Sequence, residues 1–259
     1  MKPKYLVIGP SAMGIFAFLG SLSVIDLDAI EEVSGASAGS VLGLFICLGK
    51  TAEEILEILM GIDFKILSTM NLVSLINNFG LISLEPIKKV LKELCGDPTF
   101  RQLSKKLYIT SFCVNKTETE YFSIDTTPDM SVIDAISMSI SVPFLFESVK
   151  YNNLTYIDGG IVESIPMMAF LNKDQDDVLI LQLEQNKIHI PEIKTLKNFI
   201  NGIVQMTVYN RIVYKTFSKI INFDLGTIDV FDFLMSYDDK LKLYVLGYQT
   251  ALIHLGLDR

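Results

Sequence analysis

The chain has 259 residues, half of them hydrophobic and a fifth charged, which suffices for a large buried core and excludes a disordered chain. A net charge of −8 and a pI of about 4.8 exclude the basic footprint of nucleic-acid binding, and any attraction to strongly anionic membranes by charge. Three cysteines (Cys47, Cys95, Cys113) and two histidines (His189, His254), with no C-x-x-C pair, fit neither a disulfide framework nor a zinc site, so no metal or cofactor is expected.

In chain order, Tyr5 to Ile8 is a short apolar run bounded by Gly9-Pro10, read as a buried strand. Tyr5 to Ile25 is uncharged and follows Lys2 and Lys4, as a signal peptide would. The glycines and proline that interrupt it favour strand, tight loop and helix instead. Ile15, Phe16, Phe18, Leu19, Leu22 and Ile25 recur at helical spacing. Glu32 to Ser34 is a second strand and Val41 to Leu48 a buried helix. Thr51 and Glu54 form a capping box for the next helix.

Ile66 to Leu84 is uncharged across 19 residues but too rich in Ser and Asn to span a bilayer. It reads either as a lid or interfacial contact near the Ser37 pocket, or as an ordinary buried helix and loop. Ser83 opens a helix with an apolar face of Ile87, Val90, Leu91 and Leu94 that stops at Gly96. Leu107 to Val114 and Glu120 to Ile124 read as a hairpin. Ser131 starts a helix through Ser139, and Val178 to Leu183 is a further strand. Leu196 to Ile221 and Lys240 to Leu255 read as long helices. Short buried strands alternating with helices predict an α/β fold with a mainly parallel, three-layer arrangement.

Three motifs carry candidate chemistry. Gly35-Ala36-Ser37-Ala38-Gly39 is a G-x-S-x-G between a strand and an apolar helix. Such a turn pushes the Ser37 hydroxyl out of the backbone, with the Ala38 amide at a helix N-terminus suited to developing negative charge. A close-packing small-residue turn is the plain alternative. Gly9-Pro10-Ser11-Ala12-Met13-Gly14 follows the first strand and is read as a loop aiming amides at an oxyanion. It lacks the Lys-Ser/Thr ending of a P-loop and the full G-x-G-x-x-G of a dinucleotide fold. Tyr156-Ile157-Asp158-Gly159-Gly160 places an aspartate at a strand end before two glycines, either as a turn cap or as a base for Ser37. Ser37, Asp158 and His254 also follow the Ser, Asp, His order of a triad hydrolase.

Together these motifs resemble the patatin-like phospholipase family, in which a Gly-rich loop, G-x-S-x-G and D-G-G or D-G-A follow in that order. Ala135 to Phe146, a small-residue helix ending in Pro143 and an aromatic pair, and Gly160 to Pro166 resemble further family segments; the resemblance covers residues 4–184. It implies a three-layer α/β/α sandwich with a mainly parallel central sheet, in a single domain over 1–259 with C-terminal helices 195–259 packed on it. It also implies a Ser37-Asp158 dyad without histidine, acting on membrane lipid or phospholipid esters, at a cytoplasmic location with peripheral membrane contact.

The family loop usually reads G-G-G-x-R/K-G. Here Pro10 and Ser11 replace two glycines and Met13 the basic residue. Pro10 has no N–H, which leaves Ser11, Ala12 and Ala38 as the expected donors. Loss of one donor commonly costs about 100- to 1000-fold in rate, so a slow or inactive lipid- or protein-binding relative is the alternative. The triplets Asn115-Lys116-Thr117 and Asn153-Leu154-Thr155 fit glycosylation sequons that arise often by chance.

Overall fold

A computed structural model describes residues 2–184, 193–195, 198–199, 202–203 and 219–257. Strands are β1 (Tyr5–Ile8), β2 (Glu32–Ala36), β3 (Gly80–Ile82), β4 (Lys106–Cys113), β5 (Glu118–Phe122), β6 (Phe144–Phe146), β7 (Val149–Tyr151), β8 (Leu154–Asp158), β9 (Val178–Leu183) and β10 (Lys219–Phe223). Helices are α1 (Ile15–Leu22), α2 (Ala38–Cys47), α3 (Ala52–Gly61), α4 (Leu72–Asn78), α5 (Glu85–Cys95), α6 (Val132–Ser139) and α7 (Tyr237–Leu255).

The central sheet runs β10-β9-β1-β2-β4, parallel throughout. β5 pairs antiparallel with β4 from Ile109 to Cys113, closing the expected hairpin. β3 and β6 form a separate two-stranded parallel sheet. Central strands read as continuous apolar runs because both faces are covered: Leu6, Val7 and Ile8 are all fully buried. Leu6 and Ile8 join the larger core with α1, α2, α3, α5, α6 and α7, while Val7 faces a smaller cluster built on Ile165, Met167 and Phe170. This is a three-layer α/β/α arrangement around a mostly parallel sheet, as the sequence predicts.

The large core rests on Phe16, Phe18, Phe45 and Phe223, all buried, with the Phe18 and Phe223 rings 5.3 Å apart edge to face. Each such side chain contributes on the order of 1.5–3 kcal/mol by burial. All eight residues of α1 are buried. The Thr51 capping box forms as expected, its side chain accepting from the Glu54 amide at 3.2 Å while Glu54 accepts from the Thr51 amide at 2.9 Å. The three cysteines are free thiols, and burial pushes that of Cys95 up to about 11.

Two expectations are corrected. Residues Lys219–Phe223 form strand β10 beside β9, where a helix running to Ile221 was predicted. A run that short is apolar enough for either state, and pairing with β9 decides it. The rest of that predicted helix, like His189, lies mostly outside the described residues. Residues 66–84 are not an ordinary buried helix: α4 spans only Leu72–Asn78 and exposes most of its apolar side chains. The sequence also missed β3, β6 and β7, each three residues long.

Among the described residues, no helix is long and apolar enough to cross a membrane.

Candidate active site

The site is assembled on one edge of β4. Along that edge β2 pairs in parallel register as far as Ala36 opposite Thr110. β8 pairs antiparallel from Tyr156 opposite Cys113 down to Asp158 opposite Ser111. Ile109 to Cys113 meet β5 as well, so β2 and β8 occupy the other edge together, end to end. Ala36 and Asp158 therefore face consecutive positions of β4, about 3.3 Å apart along the strand, and the chain reaches Ser37 and Asp158 from opposite directions.

Ser37 has φ 53° and ψ −131°, a backbone state rare for any residue with a Cβ. Several contacts hold it. Its N–H donates to the Ser139 hydroxyl at 2.9 Å. Its carbonyl accepts the Ser40 amide at 2.9 Å and the Ser40 hydroxyl at 2.6 Å. Gly35 packs against Gly39 and Ser40, and a Cβ on Gly39 would collide with the carbonyl oxygens of Ile8 and Gly9. The strain is thus maintained by the whole turn, as at other functional turns.

Asp158 is 2 % exposed. Its N–H donates to the Ser141 carbonyl at 2.9 Å, and its Oδ1 accepts the Gly160 amide at 2.7 Å. Gly159 passes against the Thr110 carbonyl, and a Cβ on Gly160 would lie 2.6 Å from Cβ of Pro10. The end of α6 and the two residues after it thereby hold both halves of the site, Ser139 gripping the serine turn and Ser141 the aspartate strand. Neither role was legible in sequence, although both residues lie in the small-residue segment Ala135 to Phe146; the helix itself ends at Ser139, short of Pro143.

The loop after β1 completes the site. Gly9 packs against the Ser164 carbonyl and donates to the Leu181 carbonyl at 3.0 Å. Ala12 has φ 45°. The Met13 amide donates to the Val230 carbonyl at 2.9 Å and the Gly14 amide to the Ser11 carbonyl at 2.8 Å. Among the described residues nothing accepts the amides of Ser11, Ala12 or Ala38, and the buried Ser11 hydroxyl has no partner either. The structure brings together all three sequence motifs, with Met13 committed to structure.

Ser37, Ala12 and Ala38 border an apolar pocket walled by Met13, Val41, Leu67, Leu84, Phe146 and Phe233. Ser37 is 7 % exposed. Phe231 and Phe233 also line the pocket, next to Val230, whose carbonyl accepts the Met13 amide. His254 is exposed near the end of α7.

A strained serine between strand and helix, at the carboxyl edge of a parallel sheet, defines an α/β protein of the nucleophile-elbow kind. Residues 6–171 match the family model described as patatin-like phospholipase, and the chain belongs to that family. It is 34% identical over 187 residues to "Probable lipid hydrolase 463L" of Invertebrate iridescent virus 6, covering 64% of each chain. An uncharacterized protein of Acanthamoeba polyphaga mimivirus is 28% identical over 220 residues, 78% of this chain and 74% of that one. VipD from Legionella pneumophila shares the fold with a TM-score of 0.68 at 17% identity, over 99% of this chain and 67% of VipD. In the ExoU-SpcU complex of the Pseudomonas aeruginosa type III secretion system the TM-score is 0.58 at 17% identity, over 99% of this chain and 52% of that one. The chain thus spans just under two thirds of the iridescent virus relative and about half of the ExoU-SpcU chain.

Proposed function

We propose that the protein is a lipid acyl hydrolase using a Ser37-Asp158 dyad. The observation that supports this reading is the end-to-end meeting of β2 and β8 on one edge of β4, with a strained serine following one strand and a buried aspartate ending the other. Asp158 takes the proton as Ser37 Oγ attacks the ester carbonyl, and the amides of Ser11, Ala12 and Ala38 hold the oxyanion. The C–O bond to the leaving alcohol breaks, the alcohol takes the proton back from Asp158, and an acyl-enzyme remains. Asp158 then deprotonates water, which attacks the acyl carbon; the bond to Ser37 Oγ breaks, Oγ takes the proton back from Asp158, and the carboxylic acid leaves. The apolar pocket suits an acyl chain. These steps draw on side chains and amides alone and call for no metal or cofactor. A phospholipid is the substrate class we favour, met by peripheral contact from a cytoplasmic location.

The test is a serine-directed fluorophosphonate and a long-chain acyl ester. Wild type should be labelled at Ser37 and hydrolyse the ester, and Ser37→Ala should do neither. Labelling that persists in Ser37→Ala overturns the assignment. A second reading, a slow or inactive lipid-binding relative, is favoured by one observation: Pro10 offers no amide where the loop needs donors. It predicts labelling of Ser37 without measurable turnover.

A further inference from the structure

The stretch from Ile66 to Leu84 leaves the wall of the Ser37 pocket at Leu67 and rejoins it at Leu84. Between these points it builds α4 and β3 without a single charged residue.

An ordinary surface helix buries its apolar stripe, whereas α4 leaves most of its apolar residues exposed. Inward it sends only Ser74, which is buried, and Leu75, which packs on the core; Ser74 and Asn78 both donate to Oε1 of Glu147, Asn78 at 3.0 Å. Asn71 caps the helix start at Val73, and its own amide donates to the Leu81 carbonyl at 2.7 Å. The apolar residues Leu72, Val73 and Ile76 are 63, 64 and 77 % exposed. The helix is therefore anchored by Leu75 and its hydrogen bonds and presents Leu72, Val73 and Ile76 outward.

Two phenylalanines extend this face. Phe79 ends α4 with φ 63°, and Phe144 starts β6 with φ 66°, both in a region bulky residues rarely adopt. The Phe144 amide donates to the Phe79 carbonyl at 3.3 Å, so the two stand side by side, and both rings are exposed. Two residues beyond Phe144, Phe146 walls the pocket, so the exposed face is continuous with the pocket's rim.

We propose that α4, Phe79 and Phe144 form a docking face for a neutral, zwitterionic lipid surface, which seats the rim of the Ser37 pocket on the bilayer. Two observations choose this occupant. The face is apolar and uncharged, as insertion at a bilayer's headgroup boundary requires. The chain as a whole carries −8 and would be repelled by an anionic surface. The proposal deepens the hydrolase reading of Ser37 and rests on it for its purpose.

Flotation of the full chain carrying Ser37→Ala on phosphatidylcholine vesicles, with and without added phosphatidylserine, reads the docking alone. The protein should float with phosphatidylcholine, and phosphatidylserine should not strengthen binding. Adding Leu72→Glu and Ile76→Glu should reduce the bound fraction at least ~10-fold with an unchanged thermal midpoint. Ile76→Gln, an uncharged change, should weaken binding less. The Leu72→Glu/Ile76→Glu chain with Ser37 intact should hydrolyse a soluble short-chain ester as wild type does.

Undiminished flotation of the double variant overturns the proposal. So does a lowered midpoint, which would mean the face is buried, or a wild-type dimer that the double variant splits, which would give the face to a second copy. Vesicle binding by a wild-type chain that cleaves no ester would support the docking face and overturn the hydrolase reading. Ester cleavage without vesicle binding would do the reverse.

Discussion

The hydroxyl of Ser139 accepts the backbone N–H of Ser37 at 2.9 Å, and this one bond ties the strained serine turn to the end of α6. Both groups are buried, so removing the acceptor leaves a buried donor without a partner. Ser139→Ala is expected to cost about 1–3 kcal/mol in stability. If Ser139 positions Ser37, kcat should also fall, by up to ~100-fold, with KM for a soluble ester nearly unchanged. Steady-state kinetics beside thermal unfolding checks this; a stability loss with unchanged kcat would reduce Ser139 to a structural role.

Asp158→Asn keeps an oxygen to accept the Gly160 amide while removing the base. Hydrolysis should drop at least ~1000-fold. The Ser37→Ala/Asp158→Asn pair should be no worse than the poorer single variant, because groups acting as one unit are strongly non-additive. Multiplying losses in the double variant would dissolve the dyad.

His254 stands exposed on α7, and the triad reading needs it at Ser37. His254→Ala should leave ester hydrolysis within about twofold of wild type, as surface changes usually do. Collapse of activity with a native thermal midpoint would restore the triad.

Glu163 is buried in the segment after the two glycines, and that burial pushes its carboxyl above the ordinary 4.5, against hydrogen bonds from the Tyr121 hydroxyl and the Met167 amide. The folded state holds this proton more tightly than the unfolded chain. Its contribution to stability is full below about pH 4.5 and is lost as pH rises through the folded value. Glu163→Gln keeps an oxygen for both donors and removes the buried charge. Its thermal midpoint at neutral pH should equal or exceed that of wild type, with a flatter pH dependence above pH 4.5. A midpoint well below wild type at neutral pH would show that the charge itself is needed.

The parts of this fold written locally were legible. Tyr5–Ile8 with its Gly-Pro break, the serine turn between strand and helix, and the Thr51 capping box each announce themselves within a few residues. What brings Ser37 to Asp158 is pairing across β4, and no local pattern encodes which distant strand will share that edge. β3, β6 and β7 are too short to carry a period. α4 was visible as an uncharged stretch, but which way it faces depends on Glu147, far along the chain. The Lys219–Phe223 strand failed for the same reason: β9 supplies its identity.

The backbones of α1 and α7 touch through paired glycines. A Cβ on Gly20 would collide with the Tyr244 carbonyl, and one on Gly247 with that of Ala17, while the Ser23 and Tyr244 hydroxyls bond at 2.8 Å. All three motifs lie before residue 184, yet α1, buried along its whole length, gets part of its cover from a helix that begins at Tyr237. The stretch that carries the three motifs and the stretch that folds therefore have different ends. A fragment cut after the last motif would carry all three motifs and bare the apolar flank of α1 to water. α7 thus acts as a stopper on α1, and drift at Gly20 or Gly247 would be felt first as loss of soluble protein, before any change at Ser37.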